Sequence, residues 1–142
     1  MKFLVFSDIG KNVAEIATKL RDVGEVHSFT MKNQKETALK SGSKKLVSAT
    51  RGELAGSRPV CLDYRWLSEE RQVGLSGKKV KPRVYIALGI SGQIQHIAGM
   101  RGSKIVVAVN KDKDAPIFQE CDYGIVGDLF QIVPKIVENL KK

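Results

Sequence analysis

Read only for apolar and polar positions, the chain alternates short hydrophobic runs with segments of helical period. Residues 2–6 (KFLVF) make the first run. From Asn12 the spacing lengthens: Val13, Ile16, Ala17, Leu20 and Val23 share one helical face, with Lys19, Arg21 and Asp22 elsewhere. Gly24 stops that helix, and residues 25–31 read as a second strand. Asn33 caps a short helix to about residue 40, Ser41-Gly42-Ser43 breaks it, and residues 44–49 (KKLVSA) give a third strand. A β-α-β-α-β order favours parallel strands joined by crossover helices.

The pattern then becomes irregular. Residues 51–57 alone separate the third strand from the apolar run at 59–62, whereas a parallel crossover takes a dozen residues or more. Either one helical turn over 53–55 bridges the gap, or the sequence omits a loop there. Residues 63–77 (DYRWLSEERQVGLSG) are polar, carry the sole tryptophan, Trp66, and predict a loop or small hairpin.

Regularity returns at residues 81–110, the stretch around which the rest is organised. A strand over 84–88 leads into Gly89-Ile90-Ser91-Gly92, then a helix over 92–98 with Ile94 and Ile97 on its packed side. The run at 104–109 is β-branched and nearly all apolar, as a buried parallel strand should be. Pro116 opens a short helix to residue 120, and residues 122–126 form the last strand. Asp128 stands at the N-cap of a final helix whose apolar face is Leu129, Ile132, Val133, Ile136, Val137 and Leu140. Pro134 falls inside that helix and predicts a kink or a late first turn. The fold class is α/β: an open, mostly parallel, doubly wound (Rossmann-like) sheet with a small N-terminal β-α-β lobe over residues 1–50.

Composition narrows the class. A chain of 142 residues that is 42% hydrophobic can fill a core, so disorder is not expected. No apolar run approaches the roughly 20 residues that cross a bilayer. Asp8, Lys11 and Glu15 interrupt any secretory h-region, so a cytoplasmic protein is expected. Cys61 and Cys121 lack CxxC spacing and read as reduced, buried residues rather than a redox or metal pair. The net charge of +9 invites a nucleic-acid reading, but the basic residues are spread out and no aromatics interleave with them. A basic surface facing an acidic ligand or partner is the better expectation.

Candidate chemistry gathers where an open parallel sheet binds ligands, beyond the carboxyl ends of its strands. Ser91 and Gly92, with the backbone N–H groups of the turn and the following helix start, suit a phosphate. Asn110 and Asp128 close the next two strands and suit a sugar or base edge. His96, one of two histidines, falls one turn into the helix and within reach of a ligand body; His27 has no such company and reads as structural. Arg58, in the turn at 56–59, can fork hydrogen bonds to an anion or stack on a ring. The glycine-flanked loop at 72–77 exposes Ser76. There is no nucleophile elbow, carboxylate pair or metal-ligand spacing. GISG has neither the GxGxxG form nor a P-loop lysine. A binding or carrier role is expected before a hydrolase.

GSR at 56–58, QVGLSG at 72–77, YIALGISGQIQHIAGM at 85–100, IVVAVNKDKDAPIF at 105–118 and CDYGIVGDLFQIVPKIVE at 121–138 together resemble the C-terminal, flavin-binding domain of the electron transfer flavoprotein alpha subunit. The resemblance covers about residues 56–140, and the first 50 residues look like a much shortened form of that family's N-terminal domain. It implies an FAD-binding domain over 51–142. It also implies an electron carrier, not a catalyst of its own reaction, whose flavin cycles through oxidised, semiquinone and reduced states. By position, Ser57, Ser91 and Gly92 would line the pyrophosphate and Arg58 would lie against the isoalloxazine. Ser76 would stand where the family has a threonine bonding flavin N5, and Gln72 and Gln95 would meet the ribityl or phosphate region. His96, protonated or donating, would approach the C2 carbonyl, and Asn110 and Asp128 would hold the adenosine end. The implied partners are a beta-like subunit or a second copy of the chain, and redox partner proteins. Leu75 replaces the family's glutamine and Ser76 its threonine, which keeps open a non-redox adenine-nucleotide-binding module on the same fold.

Overall fold

Two largely apolar, β-branched runs lie side by side in the middle of a parallel sheet. The computed structural model describes residues 26–30 and 52–140, and the elements expected at 2–6, 12–23, 33–40 and 44–49 lie outside them. Its strands are β1 (Val26–Thr30), β2 (Glu53–Gly56), β3 (Val84–Leu88), β4 (Ile105–Asn110) and β5 (Tyr123–Val126). They form one five-stranded open sheet in the order β2-β1-β3-β4-β5, every pair parallel. The helices among the described residues are α1 (Ile94–Met100) and α2 (Leu129–Leu140), with short helical turns at Pro59–Asp63, Glu69–Arg71 and Pro116–Gln119. None is long and apolar enough to cross a membrane.

Alternation along the central strands divides the core in two. On one face Val84, Ile86 and Leu88 of β3 join Val107 and Val109 of β4 and Ile125 of β5. They receive Ile132, Val133, Ile136 and Val137 of α2. On the other face Tyr85, Ala87, Val106 and Ala108 meet Ile97 and Met100 of α1, with Val73, Ile117 and Phe118. Helices on both faces of an open parallel sheet are the doubly wound arrangement that the hydrophobic pattern predicts. Cys61 and Cys121 are buried and unpaired, and burial pushes both thiols up, Cys121 to about 11.

Several local expectations change. Residues 53–55 are not a helical turn: Glu53–Gly56 runs parallel to β1, where it satisfies that strand's backbone groups on its outer side. The apolar run from Pro59 does not continue the sheet. It forms a π-helical turn closed by the Tyr64 N–H donating to the Pro59 carbonyl (2.9 Å), and proline has no N–H to offer a ladder. Helix α1 starts two residues later than the spacing predicts, because Gly92 holds φ +90° and Gln93 is extended. That shift turns Ile94 outward, 73% exposed, while His96, Ile97 and Met100 face inward. Pro134 lies within α2 on its exposed side and neither ends the helix nor delays its first turn. Proline brings no N–H of its own to the helix.

Two substitutions in α2 should move stability in opposite directions. Ile136→Ala removes a fully buried side chain and should cost about 2–5 kcal/mol. Pro134→Ala replaces the poorest helix former with the best in a helix interior and should gain up to about 3 kcal/mol. Urea denaturation of the three proteins checks both; an unchanged or lowered midpoint for Pro134→Ala would contradict the second.

Candidate functional site

The carboxyl ends of β2 and β3, and the loop at 72–78, surround one cavity of about 710 Å³. The chain reaches it first through Gly56, where a Cβ would fall 2.8 Å from Val60 Cγ1 and 2.9 Å from Cys61 Sγ. The π-helical turn can pack tightly under Ser57 and Arg58 because residue 56 has no side chain. Ser57 is buried, and its Oγ makes no hydrogen bond to the described residues. Arg58 beside it is exposed and lines the cavity.

The loop at 72–78 forms the second wall. The Val73 N–H donates to the Gly56 carbonyl (2.9 Å), and the Lys78 N–H to the Gln72 carbonyl (2.8 Å), so the loop is tied to β2 and to itself. Inside it the Gln72 amide donates to Ser76 Oγ (3.0 Å). The Leu75 N–H reaches across to the Gln95 carbonyl (2.7 Å), joining the loop to α1. Gly99 makes this contact possible: a Cβ on it would meet the backbone nitrogen of Gly74 and lie 2.6 Å from its Cα.

The third wall follows β3. Gly89, at φ +68°, and Gly92, at φ +90°, turn the chain through Ile90 and Ser91 into α1. A Cβ on Gly92 would meet the backbone nitrogen of Ile117, whose N–H donates to the Ser91 carbonyl (3.0 Å). Helix α1 has seven residues, so its dipole is small. Side chains rather than the helix end must supply most of the pull on an anion. Among the described lining residues Arg58 is the only ionised one; Gln93, Gln95, Ser91 and Ser76 add neutral polar groups, and Val73, Leu75, Pro59 and Ile90 add apolar surface.

His96 is buried at the back of this wall, its Nε2 2.7 Å from the hydroxyl of Tyr85. Burial lowers its pKa from the ordinary 6.5 to about 4, and burial raises that of Tyr85 well above its ordinary value. Both groups are therefore neutral at neutral pH. Of the two states expected of His96, protonated or donating, the neutral donor fits its surroundings.

The cavity brings together Ser57, Arg58, Gln72, Ser76, Ser91, Gln95 and His96 of the residues singled out by sequence. Gly92, Asn110 and Asp128 are not among its lining. Asn110 is buried and works between loops: its amide donates to the Ile90 carbonyl (3.0 Å) and its Oδ1 accepts the Asp112 N–H (3.0 Å). Asp128 Oδ1 accepts the Phe130 N–H (2.7 Å), capping α2. Sequence reasoning passed over Gln93 and Tyr85, and named Leu75 only as a departure from the family. Gln93 flanks residues it had chosen; Tyr85 gave no signal, because within VYIAL it reads as one more core residue. No group of side chains able to hold a metal ion occurs among the described residues.

This geometry has known relatives. A family model described as the electron transfer flavoprotein FAD-binding domain matches residues 28–101, just over half of the chain. The chain belongs to this family. An electron transfer flavoprotein subunit alpha from Thermoanaerobacterium thermosaccharolyticum is 38% identical over 146 residues, covering 95% of this chain and 44% of the relative. The subunit alpha from Megasphaera elsdenii is 47% identical over 107 residues, 75% of this chain and 32% of its own length. The acryloyl-CoA reductase electron transfer subunit beta from Anaerotignum propionicum is 56% identical over 91 residues, covering 64% and 24%. The chain spans less than half the length of each of these relatives. The resemblance and the α/β fold expected from the sequence are both borne out, and the cavity is built from segments that carry the resemblance.

Two outcomes follow from the site's construction. An unfolded His96 titrates near 6.5, so below that pH unfolding takes up a proton that the native state refuses. This part of the stability is intact above about pH 6.5 and is lost toward pH 4, on the order of 3 kcal/mol in all. Denaturation midpoints of the flavin-free protein and of His96→Gln, measured from about pH 7.5 to 4.5, should converge as the acid loss shrinks in the variant; parallel profiles would clear His96 as its source. Gly99→Ala should push the 72–78 loop off α1 and cost about 1–3 kcal/mol by calorimetry.

Proposed function

We propose that the cavity holds the flavin of FAD and that the chain is the flavin-carrying part of an electron carrier of the electron transfer flavoprotein alpha type. The observation that carries this reading is the lining itself. Ser57 Oγ is buried without a partner among the described residues, and one cation, Arg58, faces otherwise neutral and apolar groups. A volume near 710 Å³ lies within the roughly 300–1,000 Å³ of small-molecule sites. A planar ring with a polar rim and an anionic tail fits such a set better than a small ion does.

FAD, when bound, supplies the electron uptake and release; the protein supplies position and field. The Arg58 guanidinium offsets the negative charge that reduction adds to the ring. Ser57 and Ser91 offer hydroxyls to the phosphates, while Gln72, Ser76 and Gln95 hold the polar rim. His96 contributes a neutral N–H in place of a second positive charge. Asn110 keeps the Ile90 turn in shape, and with Asp128 it is assigned to the adenosine end beyond the cavity. Leu75, which lines the cavity and is 61% exposed, leaves apolar surface there, which favours a covering partner: a beta-like subunit or a second copy of the chain. Other redox proteins would exchange electrons there.

Purified protein should be yellow, or turn yellow on FAD titration, and should bleach with dithionite. A colourless protein that takes up no FAD would overturn the reading, and binding of AMP or ADP without flavin preference would select an adenine-nucleotide module instead. Arg58→Ala should weaken FAD binding by roughly 10- to 100-fold, the loss of a charged hydrogen bond. It should also lower the flavin potential by tens of millivolts, on the order expected for such a change. Asp128→Ala should move the potential less; equal shifts would contradict the assignment of Arg58.

A further inference from the structure

Tyr85 sits in the middle of β3, 0% exposed, among Ala87, Ile97, Met100 and Val106. A hydroxyl buried in apolar company must find a partner or cost about 1–3 kcal/mol. His96 Nε2 lies 2.7 Å from it, with the two rings edge to face, 6.3 Å between centroids and 71° between planes. His96 reaches the cavity; Tyr85 stands behind it.

We propose that Tyr85 is a positioning residue: its hydroxyl donates to His96 Nε2 and so fixes the imidazole as the neutral Nδ1–H tautomer. A phenol is a better donor than acceptor, and an unprotonated ring nitrogen is a strong neutral acceptor, so O–H to Nε2 is the stronger of the two possible pairings. The tautomer of a histidine is set by the bond that its other nitrogen makes. Burial keeps both partners uncharged, which removes the alternative of an imidazolium donating to the tyrosine. Any hydrogen bond from His96 to a ligand then comes from Nδ1. The ring presents a donor to an acceptor such as a carbonyl, and it does so without a positive charge. The relevance to flavin rests on the reading above; the tautomer itself does not.

The test uses the full-length chain labelled with ¹⁵N-histidine. There are two histidines, His27 and His96, and His96→Gln assigns their signals. In the flavin-free protein at neutral pH, His96 should show a protonated Nδ1 and an unprotonated Nε2. Tyr85→Phe keeps the ring but removes the donor, and should move the signal toward the Nε2–H tautomer. In the same variant FAD affinity should fall by roughly 2- to 10-fold, the worth of one ordinary hydrogen bond. A wild-type His96 protonated at Nε2 overturns the proposal even if Tyr85→Phe fails to fold. A variant that keeps the Nδ1–H signal overturns it too, since Tyr85 would not be the cause. Loss of FAD binding in wild type would sink the flavin reading and leave the tautomer measurement standing on its own.

Discussion

The rest of the structure depends on β3 being paired on both sides and buried on both faces. Its backbone is held by β1 and β4, so its five residues have no freedom to slip. A slip of one residue would exchange Val84, Ile86 and Leu88 with Tyr85 and Ala87 across the sheet. The α2 core would then receive a hydroxyl, and the α1 core would lose the hydroxyl that meets His96. Register, core composition and the orientation of a cavity residue are thus a single constraint. The strand also delivers Gly89 to Gly92 to the sheet's carboxyl edge, where they turn directly into α1.

The cavity inherits this rigidity through close backbone contacts. Gly56, Gly92 and Gly99 each lie where a methyl group would collide with a neighbour, and those neighbours are Val60, Ile117 and Gly74. The three contacts join β2 to the π-helical turn, the β3 turn to the Pro116–Gln119 turn, and α1 to the 72–78 loop. Polar side chains from distant parts of the sequence therefore meet at the cavity. The described ion pair between Arg101 and Glu120 is long, at 4.0 Å, and exposed, so it adds little.

Much of this was legible from residue pattern. β3, β4, β5, the Pro116 turn and the apolar face of α2 follow from period and punctuation, because each is a strongly patterned segment with a clear stop. The Glu53–Gly56 strand was not legible: ELAG has no strand signature, and its partner strand supplies the reason for its shape. The outward turn of Ile94 was hidden for a similar cause, since the two-residue delay of α1 comes from contact between Gly92 and Ile117. Among site residues, loop and turn positions were readable by chemistry and by family resemblance. Tyr85 was not, because a core tyrosine and a positioning tyrosine are spelled alike. The separation of Asn110 from the cavity was equally invisible, as its two hydrogen bonds to loop backbone depend on how the loops fold back.

The bond from Leu75 to Gln95 and the Gly74–Gly99 contact have a kinetic consequence. They make the loop and the helix one body, so two walls of the cavity cannot swing apart separately. A ligand would then enter through the mouth as it stands, past the exposed side chain of Leu75. Association should follow encounter rather than a gating motion, and dissociation should be slowed by whatever covers that mouth. Whatever occupied such a cavity would be retained by its neighbours as much as by its pocket.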